Sequence, residues 1–135
     1  YVSYDVGPLA LTVTNYTFPD GDGTYSSGGF FEGDLEISAS TEIGGLSLMG
    51  GYFPDLETLY IEAGFGLGDV DFAIGFGSDS ADAFYVGAGE SAICNVSFGY
   101  SKEIKITDDY SLPLFSSFIF NPKSEAAFIV FGASF

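Results

Sequence analysis

Residues 30–40 alternate without a break. Phe31, Gly33, Leu35, Ile37 and Ala39 fall on one side of an extended chain, and Glu32, Asp34, Glu36, Ser38 and Ser40 on the other. Successive side chains of a β-strand point to opposite faces, so a period of two held this long specifies a strand. The pattern recurs. Over 58–67, Leu59, Ile61, Ala63, Phe65 and Leu67 face Tyr60, Glu62, Gly64 and Gly66 across the ribbon. Over 70–77, Val70, Phe72, Ile74 and Phe76 oppose Asp71, Ala73, Gly75 and Gly77. Residues 92–106 read as a long strand with Ala92, Cys94, Val96, Phe98 and Tyr100 against Ile93, Asn95, Ser97 and Gly99.

Shorter runs fill the rest: 1–6, 9–18, 46–53, 110–120 and 126–135. Gly7–Pro8, 41–45, 68–69 and 107–109 are tight turns. Gly68 in first place suits a type II′ hairpin. Residues 19–29, 54–57 and 121–125 are loops rich in turn formers, and 78–91 is a longer one in which 84–89 could extend a strand. Almost nothing has a helical period, and no helix is needed. The expectation is an all-β single domain over residues 1–135, an antiparallel up-and-down barrel of about 8–10 strands with hairpin connections.

Alternation alone leaves open which face is inside; residue type decides. One face is Leu, Ile, Val and Phe without charge. The other is Gly, Ala and Ser with acids interspersed. In a soluble barrel or sandwich the apolar face would point inward and leave the small face to water. In a transmembrane barrel the apolar face meets lipid, where a charge costs about 2–4 kcal/mol at mid-depth. Composition favours the second arrangement. Apolar residues make up 47% and mean hydropathy is +0.30, yet the net charge is −16 with three lysines as the only basic residues. That many negative charges sit more easily in loops and a hydrated lumen than around a compact soluble fold. No run approaches the ~18 apolar residues of a spanning helix, and so acidic a chain has no use for nucleic-acid phosphate.

Counted back from the C-terminus, the short turns fall on the periplasmic side and the longer loops outside, as membrane barrels arrange them. Nine strands would then put Tyr1 outside, whereas single-chain barrels have an even number. Either residues 1–6 do not span, or strands upstream complete the barrel, or another chain does.

The closing stretch, SKEIKITDDYSLPLFSSFIFNPKSEAAFIVFGASF, and the early GPLALTVTNYTFP resemble the TorF-type (Gcw_chp) porin family of the Bacteroidetes. The resemblance covers most of the chain and is strongest from Ser101. It implies a cell outer membrane location in a Gram-negative bacterium and a pore role, and it suggests that this is the C-terminal part of a longer barrel. It supplies no catalytic or binding residues. The alternating last strand, with Ala127, Ile129, Phe131, Ala133 and Phe135 on one face, has the form of a barrel-assembly signal carried by Phe131 and Phe135.

The side-chain inventory narrows the chemistry. Without His or Arg there is no Ser–His nucleophile, imidazole metal site or arginine clamp. The single Cys94 excludes an internal disulfide and a thiolate metal cluster. Asp20–Gly21–Asp22–Gly23 begins like a calcium loop but lacks the later ligands. Asn15–Tyr16–Thr17 and Asn95–Val96–Ser97 match the glycosylation sequon inside strands. Paired carboxylates for glycoside hydrolysis lack a sugar-stacking Trp. No enzyme and no cofactor is expected. The acids Glu32, Asp34, Glu36, Glu62 and Asp71 share the small face and would line a lumen that favours cations; in a narrow barrel they are lumen filler instead. Lys102 and Lys105 point to opposite faces near the periplasmic turn. Tyr16, Phe18, Phe30, Tyr52, Phe53, Tyr100, Tyr110 and Phe120 would form interfacial girdles. The expected function is passive diffusion of small polar or cationic solutes. The alternative is a non-conducting structural barrel or an accessory subunit of a larger envelope complex. Expected partners are outer-membrane lipid, the barrel-assembly machinery, and copies of the chain or other envelope proteins.

Overall fold

The computed structural model describes residues 1–17, 33–80 and 83–134. They form nine strands: β1 Val2–Val6, β2 Leu9–Tyr16, β3 Asp34–Ile43, β4 Leu46–Phe53, β5 Thr58–Leu67, β6 Val70–Asp79, β7 Ser91–Lys105, β8 Ser111–Asn121 and β9 Ala126–Ala133. The strands pair in sequence order in one sheet, every pairing antiparallel. The up-and-down, all-β expectation therefore holds, and the described residues contain no helix. The sheet is not closed: β1 and β9 are its edges. This is consistent with a barrel wall.

Local chemistry sets the hairpins. Gly68 has φ +64° and leads the two-residue turn into β6, as a type II′ turn requires. Gly44 and Gly45 both have positive φ, the type I′ pattern, so β3 runs on to Ile43 where a turn from residue 41 was expected. The expected turns and loops alternate between the two ends of the sheet. The two-residue connections at 7–8, 44–45 and 68–69 share one end with residues 106–110; residues 54–57, 83–90 and 122–125 lie at the other.

The register divides the side chains as the alternation implied. Ile37 lies beside Tyr52, Leu46 beside Phe65, Phe65 beside Phe72, and Phe72 beside Phe98, all on one face. That face is exposed: Ile61 keeps 48% of its surface and Phe98 51%. The buried residues Glu36, Phe53, Thr58, Asp79 and Cys94 belong to the opposite face. There, side chains two strands apart meet. The rings of Tyr16 on β2 and Phe53 on β4 lie 5.7 Å apart. Asn95 Nδ2 on β7 donates to Tyr60 Oη at 3.1 Å and Glu62 Oε2 at 2.8 Å on β5. Adjacent strands are ~4.8 Å apart, so contact across two gaps, together with the one-sided burial, means that the sheet curls around its polar face. Charge follows the same division. Asp5, Asp34, Glu36, Glu42, Glu62, Asp71, Asp79, Glu103 and Lys105 register on the concave face. Among the described strands, Lys102 beside Leu114 is the one charged residue on the convex face.

Two expectations need correction. The expected face of β7 is wrong in its first half. A bulge between Gly75 and Phe76 leaves Cys94 without a partner, so Ile93 pairs with Phe76 and Asn95 with Gly75. Cys94 and Ala92 thus turn to the concave side with Asn95, Ser97 and Gly99. Ile93 joins Val96, Phe98 and Tyr100 outside. One extra residue reverses the phase of a strand on one side of the bulge, which is why an unbroken alternation misplaces this segment. The second correction concerns the girdle. Tyr16 and Phe53 lie on the concave face, with Phe53 only 2% exposed, while Tyr52 and Tyr100 do face outward. Phe18 and Phe30 lie outside the described residues.

Towards β9 the two faces become alike. Phe115, Ile119, Phe128 and Val130 register on the concave side, opposite Phe118, Ile129 and Phe131. A strand apolar on both sides is the pattern of a strand covered on both sides.

Candidate functional site

The concave face carries the polar chemistry, and its glycines make room for it. A Cβ on Gly75 would lie 2.1 Å from Tyr60 Oη, and one on Gly132 would lie 2.1 Å from the Phe115 ring. The missing side chains are thus cradles for rings from the neighbouring strand. Tyr60 occupies the Gly75 cradle and donates its hydroxyl to Glu62, while Asn95 braces both.

Above this network the 83–90 segment folds back over the concave face. Asp79, 2% exposed at the end of β6, holds it. Its Oδ2 accepts four consecutive backbone amides: Phe84 at 2.9 Å, Tyr85 at 2.8 Å, Val86 at 2.7 Å and Gly87 at 3.0 Å. Successive amides converging in this way form a nest for an anionic oxygen. Gly87 has φ +136°, a conformation that glycine supplies. The chain then returns through Glu90 N–H to Gly87 O and Asp79 N–H to Glu90 O, each at 2.9 Å. The Glu90 carboxylate pairs with Lys123 of the β8–β9 turn. Held there, Phe84 packs on Phe53 with centroids 4.9 Å apart, and Tyr85 packs on Tyr60 at 5.0 Å. Burial, and behind it the Glu36 carboxylate, push the Tyr85 phenol up to about 12, so it stays a neutral hydroxyl.

The expected acids therefore do not form one group. Asp34 and Glu36 line a cavity of about 330 Å³ with Tyr16, Phe53, Phe84 and Tyr85 at the loop end. Glu62 is tied into the Tyr60–Asn95 network at mid-sheet. Asp71 lies in a wider cleft of about 420 Å³ nearer the tight-turn end, among Glu42, Ser47, Ser97, Gly99 and Ser117. Glu32 lies outside the described residues. Phe131 is on the convex face and 78% exposed, and Phe135 lies outside the described residues. Among the described residues, no group of three or more metal-ligating side chains comes together.

Asp79, Tyr60, Phe84 and Tyr85 were not singled out in the sequence, and Asn95 only as part of a sequon. Tyr60 carried a faint signal: a bulky ring on the small-residue face of an alternating strand. The Asp79 nest has none, because its partners are amides that any residue provides.

No family model, curated protein or solved structure matches this chain. The functional reading rests on the residues and their placement.

Proposed function

We propose that this chain builds the wall of an outer-membrane β-barrel of the TorF-type porin kind, with its convex face in lipid and its acidic concave face lining a passage for small polar or cationic solutes. The observation that supports it most is the exposed apolar surface, uncharged among the described strands except for Lys102 near the tight-turn end. Soluble monomers rarely expose a contiguous apolar surface beyond a few hundred Å². The acids, serines and glycines opposite give a hydrated, cation-favouring lining. In this reading the tight turns are periplasmic and the larger loops external. An unpaired strand edge in hydrocarbon costs several kcal/mol per backbone group. The edges at β1 and β9 therefore take partner strands, from further strands of a longer chain, a copy of the chain or another envelope protein. The apolar concave side of β9 fits such cover.

The test is reconstitution into planar bilayers under a salt gradient. Discrete conductance with a cation-selective reversal potential is expected. A protein that stays dispersed without detergent would defeat the membrane reading itself.

One observation favours a second reading. Phe53, Phe84, Tyr85 and Tyr60 fill the concave face at the loop end, as expected of a barrel whose side chains occupy its interior. That reading, a non-conducting structural barrel or accessory subunit of an envelope complex, predicts insertion into bilayers without conductance.

A further inference from the structure

We propose that the cavity formed by Tyr16, Asp34, Glu36, Phe53, Phe84 and Tyr85 binds a small organic ammonium ion, with Glu36 as its counter-charge. The proposal rests on the reading above only in that this end of the concave face is open to water.

Glu36 carries the inference. It is 7% exposed, and no hydrogen bond or ion pair within the described residues reaches its carboxylate. Its side chain lies along Gly51, where a Cβ would come within 3.3 Å of the carboxylate. Its oxygens reach the water of the cavity, and a carboxylate so enclosed attracts a cation more strongly than one in bulk solvent. The chain has few cations to offer. It has no Arg or His and three lysines. Lys105 pairs with Asp108 at 2.7 Å in the tight-turn region, Lys123 pairs with Glu90, and Lys102 sits on the convex face. No lysine is thus left to pair with Glu36, and a cation that does so comes from outside the chain.

The walls say which kind. Four aromatic rings line the same cavity as the carboxylate, set at angles to one another. Phe84 and Tyr85 meet edge to face at 84°, Phe53 tilts 45° from Phe84, and Tyr16 tilts 36° from Phe53. Rings arranged as walls and a nearby carboxylate favour an ammonium with methyl or methylene substituents, through cation–π attraction and apolar contact. A hard inorganic cation asks instead for a shell of six or more oxygens. The volume of about 330 Å³ sits at the low end of the small-ligand range. Asp34 adds a second negative charge to the lining.

The test uses the full chain folded in detergent, titrated with tetramethylammonium chloride and choline chloride against sodium chloride at matched ionic strength. Heat release and tyrosine fluorescence report binding. Saturable binding of both organic cations is expected, with no matching response to sodium. Glu36→Gln keeps the shape and removes the charge, and should weaken binding about tenfold or more. Tyr85→Leu should weaken it several-fold, whereas Asp71→Asn, in the other cleft, should leave it unchanged. Far-ultraviolet dichroism establishes that each variant is folded. Absent saturation in folded wild-type protein overturns the proposal, as do equal affinity in Glu36→Gln and equal competition by sodium. Binding is read without conduction, so a barrel that fails to conduct but binds leaves the site standing. A conducting barrel that does not bind removes the site alone.

Discussion

At the scale of single residues, the concave face is a set of matched pairs, a glycine on one strand and a large side chain on the next. Gly75 with Tyr60 is as tight as Gly132 with Phe115, and it also orients the hydroxyl that Glu62 accepts. Gly75→Ala should therefore displace the ring and loosen the Glu62–Asn95 network. We expect a loss of about 1–3 kcal/mol, the usual cost of overpacking, read as a lower midpoint in denaturant unfolding. An unchanged midpoint would mean that the ring swings aside freely. Cys94 offers a second check. Its thiol is 7% exposed because the bulge turns it toward Gly77 and Tyr85. Maleimide should modify it slowly in the folded protein and fully in denaturant. Rapid labelling of folded protein would place it on the convex side instead.

Among the elements, the 83–90 segment depends most on one side chain. Four amides share one Asp79 oxygen, and hydrogen bonds to an ionised group are worth about 1.5–3 kcal/mol each before their mutual competition. Asp79→Ala should release the segment from Phe53 and Tyr60. Amide hydrogen exchange at residues 84–87 should accelerate by orders of magnitude while exchange in β5 and β6 changes little. The strands themselves were legible, because hydrophobic alternation is a local property that each ribbon writes into its own sequence. Residues 58–67 and 70–77 needed nothing else. The fold-back of 83–90 was not legible, since a nest is made of backbone and leaves no residue signature. The bulge was half legible. Ile93 and Val96 both face outward three residues apart, but the small Ala92 and Cys94 between Ser91 and Val96 also satisfy an unbroken alternation. The acid cavity was legible as a face but not as a cluster. Its aromatic walls come from β2, β4 and a loop whose approach depends on curvature.

For the molecule as a whole, the environment of the convex face decides between lipid and water. Ile61→Arg puts a charge at the middle of that surface. In a bilayer it should cost about 2–4 kcal/mol, measured by unfolding from lipid vesicles. Were the face in water, so exposed a substitution would change stability by roughly 0.5 kcal/mol or less. The odd number of described strands has a geometric outcome. Each of the eight pairings reverses the chain direction, so the first and last strands run the same way. If those two edges met directly, within one molecule or around a ring of identical copies related by rotation about the barrel axis, the seam would be a parallel ladder in an otherwise antiparallel cylinder. A uniformly antiparallel cylinder requires an odd number of additional strands between them.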